Sequence, residues 1–339
     1  YTLSLHDALP IWWNSRKSNA RTAFASCYWL FSTGPLRLCK MNKLSTLHDA
    51  VASIPPGSHV ALPGFAIARC AMAFAHEVIR QGINHLTLSQ CVGAMDADIL
   101  VGAGMADRLI YGGGSLDRFG RLSAVNRGIE TGTLAAEEYS SLSVTFRYLA
   151  GSLGLPFIPI RSLQGSDLLR NLKERHPDDV AAITDPFTGE EWLALKPLLP
   201  DVAVALVSAA DEEGNAQIDG PRWDNLEQAR ASKRTIVLAH KIISTEEVRQ
   251  HPDRTVIPGF LVSHVVHVPF AAHPCSLFKA YDYDADHIRL YAEAAQNPES
   301  MQAYLDTYVF GVPDHAAYLA KVGGEELKQR ISADPQRGY

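Results

Sequence analysis

The chain has 339 residues, 47% of them hydrophobic and 20% charged, with a net charge of -6. That length suits one large domain or two smaller ones, and a mildly acidic balance excludes the basic footprint of a nucleic-acid binder. No apolar stretch reaches membrane-spanning length, and five scattered cysteines without a CxxC pair argue against a disulfide framework or zinc site and fit a reducing cytoplasm.

In chain order, residues 1–40 stand apart. They hold Trp12, Trp13 and Trp29, and the basic Arg16, Lys17, Arg21, Arg37 and Lys40 against Asp7 alone. Tyr1 to Ile11 reads as the in-frame translation of a common sequencing adapter, so the segment is expected to be a disordered gene-model artefact rather than a transit peptide. Met41 is the expected start, followed by a first helix with Leu44, Leu47, Val51 and Ile54 on its apolar face. A single domain is expected over 41–330.

Ser58 to Gly93 reads as a βαβ unit. His59 to Leu62 is a strand broken by Pro63-Gly64-Phe65, Ala68 to Arg80 a helix stopped by Gly82, and Leu86 to Ser89 a strand ending at Gln90-Cys91-Val92-Gly93. Asp96 to Val101 reads as a short helix. Arg108 to Tyr111 is a strand running into Gly112-Gly113-Gly114-Ser115. Arg121 to Thr131 reads as partly helical, and Glu137 to Leu149 as a helix with Tyr139, Leu142, Phe146 and Leu149 inward. Phe157 to Ile160 is a strand, followed by a Pro-, Gly- and charge-rich excursion between Arg170 and Leu199.

Val202 to Ser208 is fully apolar, as a strand covered on both faces should be. A hairpin follows around Glu213-Gly214-Asn215. Asn225 to Ala231 and Ser244 to Gln250 read as helices, Thr235 to Ala239 and Leu261 to Val268 as strands. Asp284 to Lys328 reads as helical, broken at Pro298 and Pro313. The alternation predicts an α/β fold: an open, mostly parallel layered sheet flanked by helices, with a helical C-terminal portion. Glycine-bearing turns after strands are where such sheets bind ligands. Asp96, Asp98, Glu137 and Glu138 fall on or beside predicted helices, where solvated faces or caps are expected.

Several segments, in this order, carry a family likeness: HVALPGF (59–65), EVIRQGINHLTL (77–88), LGLPFIPIRSLQGSDL (153–168), DPFTGE (185–190), DVAVALVSAADEEGNAQIDG (201–220), ASKRTIVLAHKIISTEEVRQHP (231–252), IPGFLVSHVVHVPFAAHP (257–274) and YDYD (281–284). Together they resemble the A (alpha) subunits of family I coenzyme A transferases, in the glutaconate CoA-transferase branch. Pro63 stands where that family often has Gly and removes one backbone N–H; Ala272 likewise precedes His273 where Gly is common.

The resemblance implies no permanently bound cofactor, a coenzyme A thioester and a carboxylic acid as substrates, and a B (beta) subunit of similar fold as partner, usually in a heterotetramer. It places the glutamate nucleophile on that B subunit, so no catalytic carboxylate is expected here. It also puts Ser115 where glutaconate-type A subunits contact the substrate carboxylate. Gly112, Gly113, Gly114, Gln90, Gly93, Gly64 and Phe65 are the other expected substrate-binding residues, their turns leaving N–H groups as oxyanion donors, each typically worth ~3 kcal/mol. His273-Pro274 lies in a matching motif and reads equally as a structural loop. A related branch hydrolyses CoA thioesters with an A-chain carboxylate that aligns just after Glu138, where this chain has Ser140-Ser141. A non-catalytic binding relative of the fold is a third reading.

Overall fold

The computed structural model describes residues 42–334, so the expectations for residues 1–40 and for Met41 as the start lie outside the described residues. β1 (Leu44–Ser45) pairs parallel with a distant strand, and Val265 N–H donates to Lys43 O at 2.8 Å. The first helix, α1 (Leu47–Ala52), therefore starts later than expected. Thr46 stops it on the N-terminal side, extended at ψ 158° and accepting from Asp49 N–H through its hydroxyl.

Four parallel strands run outward in sequence: β2 (His59–Ala61), β3 (Leu86–Gln90), β4 (Ala106–Tyr111) and β5 (Ala135–Glu138). A small antiparallel sheet follows, made of β6 (Ile158–Ile160), β7 (Val180–Thr184) and β8 (Glu191–Leu195) in the order β6-β8-β7. The chain then returns beside β2 as β9 (Val202–Ala210), which turns back through β10 (Ala216–Gln217). β11 (Arg234–Ile242), β12 (Thr255–Ile257) and β13 (Val262–His267) complete the strands. The central order is β1-β13-β11-β9-β2-β3-β4-β5, all parallel, with β10 and β12 antiparallel at one end.

Period-two alternation sorts the sheet's side chains. Val60, Leu88, Val204, Leu206 and Leu238 face the larger core, built with α1, α2 (Met72–Gln81), α3 (Met95–Gly102) and the C-terminal helices α9 (Ala285–Ala294), α10 (Pro298–Leu305), α11 (His315–Lys321) and α12 (Gly324–Ile331). α4 (Ser123–Thr131) packs on α3. Ala61, Ile110 and Ala203 face the other side, under α5 (Ser141–Ser152) and α7 (Asn225–Ala231). α6 (Asp167–Arg175) and α8 (Thr245–Gln250) are peripheral connectors. Among the described residues no helix is long and apolar enough to cross a membrane.

Two further helices expected from the sequence come out differently. α2 begins at Met72, not Ala68, because residues 65–69 are a pinned turn. Phe65 and Ala68 exchange two backbone bonds, Ala66 and Arg69 are left-handed at φ 52° and 63°, and Arg69 N–H donates to Ser276 O. Glu137 and Glu138, expected to open a helix, instead end β5, since pairing with β4 overrides their helix preference. α5 then starts after its Ser140 cap, and Leu142 is exposed rather than inward. The charge-rich excursion is ordered structure, with Asp185-Pro186-Phe187-Thr188 as the β7–β8 turn: Asp185 accepts from Phe187 N–H and Thr188 Oγ1, both at 2.8 Å.

His273 is buried in the C-terminal layer. It pairs through Nδ1 with Tyr318 Oη (2.8 Å) and through Nε2 with Asp284 (3.3 Å), while His287 pairs with Tyr304 Oη (2.9 Å). Burial holds His287 and His315 neutral, pulling each down to about 4. Their folded values lie below the ordinary 6.5, so the stability they lend is present above pH 6.5 and is lost as pH falls through 4. Each histidine withdraws about 3 kcal/mol over that window. His287→Gln should therefore show a flatter loss of urea stability between pH 6.5 and 4.5 than the unsubstituted protein; parallel curves would refute the burial account.

Candidate functional site

The strand order reverses between β2 and β9, and the crevice beyond their carboxyl ends is the switch point of the sheet. The turns after β2, β3 and β4 crowd beside it. Gly64 has φ 91°, and a Cβ there would lie 2.6 Å from Ala68 O and 2.8 Å from Arg69 O, so only glycine closes this turn. Phe65 is 39% exposed and stacks on Trp223, ring centroids 5.8 Å apart.

Gln90 is fully buried and serves the frame. Its Nε2 donates to Pro63 O (2.7 Å) and Asp96 Oδ1 (3.2 Å), and its Oε1 accepts from Ala94 N–H (3.1 Å). It thus ties the first turn to the second, and Pro63, which has no N–H, contributes its carbonyl. Gln90 is a positioning residue here, with no polar atom turned to a ligand.

The second and third turns are bridged backbone to backbone. Gly93 N–H donates to Gly113 O (2.8 Å), Ser115 N–H to Gly93 O (3.2 Å) and Gly112 N–H to Cys91 O (3.2 Å). Three expected oxyanion donors are therefore already spent. Gly113 and Gly114 keep N–H groups without an acceptor among the described residues. Gly114 is close-packed: its Cβ would meet Leu122 Cδ1 at 2.6 Å and Gly93 O at 2.8 Å. Ser115 Oγ accepts from Asp117 N–H (3.1 Å) in a local turn, which leaves its hydroxyl proton to donate.

The four carboxylates separate into two kinds. Asp96 and Asp98 are buried, not solvated: Asp96 accepts from Ala71 N–H and Gln90, Asp98 from Val125 N–H and Tyr291 Oη, and burial pushes both up to about 6. Glu137 is buried too, bonded by the Arg108 guanidinium. Glu138 differs. It is exposed at the carboxyl end of β5, opposite Tyr111.

Glu137, His176 and Asp179 bring ligand atoms within 4.8 Å of one another. Arg108 already holds Glu137, and Arg147 and Lys196 lie 3.7 and 3.6 Å from Asp179, so side chains balance this charge and the cluster docks the small sheet onto β5. A cavity of about 1200 Å³ opens at the β1 edge between the end of β13 and α11–α12. None of the expected site residues lines it, and the strand ends are the better candidate.

Sequence reasoning missed Arg69 and Trp223, which stand at the switch point. The one available signal was Arg69 itself, a lone cation within the apolar Ala66 to Ala75 run.

The sequence profile of the family described as Coenzyme A transferase matches residues 44–268. A protein of Archaeoglobus fulgidus is 36% identical over 294 residues, which cover 86% of this chain; the match spans 64% of that relative's length. The A subunit of glutaconate CoA-transferase from Acidaminococcus fermentans is 34% identical over 312 residues, covering 88% of this chain and 97% of the relative. The crystal structure of glutaconate coenzyme A-transferase from the same organism superposes with a TM-score of 0.82 at 33% identity, covering 88% of this chain and 98% of that one. With the profile spanning most of the described residues and the parallel sheet and its turns in place, the chain belongs to the coenzyme A transferase family.

Proposed function

We propose that this chain is the A subunit of a CoA-transferase that moves coenzyme A between carboxylic acids, its crevice forming one wall of a site completed by a B-type subunit. The observation that carries the reading is the state of its own carboxylates. Asp96, Asp98 and Glu137 are each tied down by hydrogen bonds, so none is free to attack a thioester. The family resemblance puts the nucleophile on the partner, and the bonded state of these three carboxylates agrees with it. A partner glutamate adds to the thioester carbonyl and expels the CoA thiolate, leaving an acyl anhydride. The thiolate attacks the glutamyl carbonyl, releases the first acid as carboxylate and leaves a glutamyl thioester. The acceptor carboxylate reverses both steps.

This chain's share is electrostatic. The N–H groups of Gly113 and Gly114 and the Ser115 hydroxyl sit where an oxyanion or a substrate carboxylate could be held. Gln90, Gly93, Gly64 and Phe65 shape the wall. The glutaconate enzyme among the relatives favours a dicarboxylic acid as substrate. The three cysteines among the described residues, Cys70, Cys91 and Cys275, are buried and free, which fits a reducing cytoplasm.

Glu138 supports a second reading, a thioester hydrolase, because it is an exposed carboxylate at a strand end beside the glycine run. One assay separates them. Co-expressed with its B-type partner, the complex should release CoA from an acyl-CoA only when an acceptor acid is present, and Glu138→Gln should leave that rate within threefold. Full-rate release without acceptor, abolished by Glu138→Gln, would establish the hydrolase. Ser115→Ala should lower kcat/KM at least tenfold, and Gln90→Ala should do so through the turn it holds. Unchanged activity in both would remove these turns from the site.

A further inference from the structure

A buried cation stands over the switch point with no direct ion pair, only the nearby charge of Asp219 favouring it. Arg69 is 1% exposed and left-handed at φ 63°, and forms no ion pair among the described residues. Two of its guanidinium N–H donors are spent on carbonyls: Nη1 donates to Pro221 O at 2.7 Å and Nη2 to Asp219 O at 3.0 Å. Its Nε has no acceptor among the described residues. Trp223 lies 4.8 Å from the guanidinium carbon, and Phe65 stacks on Trp223.

Burying an ion costs several kcal/mol unless partners repay it. Burial pulls this guanidinium down to about 10, which still leaves it charged at neutral pH. Neither nearby carboxylate pairs directly with it: Asp219 lies 3.5 Å from Arg254, and Asp282, which lines the cavity, accepts from Tyr283 N–H through Oδ1. Arg69 is one of the residues lining a cavity of about 140 Å³, with Trp223, Ala68, Ser276, Phe278 and Asp282. A water's share of liquid volume is about 30 Å³, so the space suits a small acid group rather than a whole nucleotide.

We propose that Arg69 and this cavity form an anion subsite that receives a terminal acid group of the substrates, either the free carboxylate of a dicarboxylic acyl group or a phosphate of the coenzyme. The proposal rests on the transferase reading for the identity of those substrates. The planar fork of arginine matches a carboxylate or phosphate edge in two hydrogen bonds, which a lysine could not reproduce. Trp223 and Phe65 would cover the apolar chain leading to the acid.

Calorimetric titration of the full chain with glutarate, butyrate and 3′-phospho-ADP tests this without requiring turnover. Glutarate is expected to bind at least tenfold tighter than butyrate, with the difference lost in Arg69→Met. Binding of 3′-phospho-ADP that is lost in Arg69→Met, with no preference for glutarate, would keep the anion subsite and assign it to the coenzyme. If Arg69→Met does not fold, as judged by circular dichroism, Ala68→Leu fills the cavity while retaining the cation, and should abolish the same binding. Equal, weak binding of all three probes by the unsubstituted chain, or binding indifferent to the folded variant, overturns the proposal. Failure of the transferase reading shows separately, as missing acceptor-dependent turnover while Arg69-dependent binding persists.

Discussion

Asp96→Ala is expected to cost about 4 kcal/mol of folding stability, measured by urea denaturation at pH 7. The side chain accepts from Ala71 N–H at 2.8 Å, from Ala97 N–H at 3.0 Å and from the Gln90 amide at 3.2 Å, all within the core. Truncation leaves buried donors without acceptors, at about 1–3 kcal/mol each. It also frees the start of α2 and the Gln90 tie between the first two turns, so kcat/KM of the assembled enzyme should fall along with stability. Asp96→Asn keeps one acceptor oxygen and should lose less, about 2 kcal/mol. The two variants also differ in pH response. Burial raises Asp96 from its ordinary 3.8 to about 6, so its contribution is fully present below pH 3.8 and is lost as pH rises through 6. Asp96→Asn removes that dependence. A loss under 1 kcal/mol for Asp96→Ala would mean that water replaces the carboxylate and that the turns are held by other means.

The parallel architecture was readable from the sequence because its strands are local and hydrophobically distinct. Val202 to Ala210 is apolar on both faces, and Asn225–Ala231 came out with its expected bounds. Three turn glycines were legible for a similar reason: Gly64, Gly82 and Gly113 sit where the backbone is left-handed. The failures are tertiary. Residues 68–71 continue the helical spacing, yet contact with Ser276, some two hundred residues away, holds their start as a turn. Glu137 and Glu138, expected in a helix, fall in a strand because β4 offers an unpaired edge and Arg108 a partner for Glu137.

The candidate site was legible as a set of turns but not as a set of donors. That Gly93, Gly112 and Ser115 spend their N–H groups on each other follows only from how the ends of β3 and β4 are packed. The burial of Gln90, Asp96 and Asp98 has the same origin. A short polar residue after a strand reads the same whether it faces solvent or the interior, and the α2–α3 layer decides which. Arg69 was hidden because its strained backbone and its distant carbonyl partners at positions 219 and 221 leave no periodic trace.

Gly112→Ala is expected to lower kcat/KM of the assembled enzyme about 100-fold while the protein still folds. A Cβ at this position would sit 2.4 Å from Ser141 Cα, 2.6 Å from Ser141 N and 2.5 Å from Cys91 O. All three are backbone atoms, from the start of α5 and the end of β3, so no side chain can swing aside. The turn must move instead, and overpacking of this kind costs about 1–3 kcal/mol. The displacement carries the Gly113 and Gly114 N–H groups and Ser115 with it, and a misplacement of about 1 Å at reacting groups is worth roughly 100-fold in rate. Gly113→Ala separates strain from crowding. Gly113 has φ 81° and open space around its missing Cβ, so alanine there strains the backbone by about 1 kcal/mol while the N–H groups stay in place. Its rate should fall less than tenfold. The pair is read by thermal melts and by steady-state kinetics on the complex with the B-type partner. Equal losses in both variants would point to general destabilisation of the turn, whereas full activity in Gly112→Ala would place the reacting groups away from it.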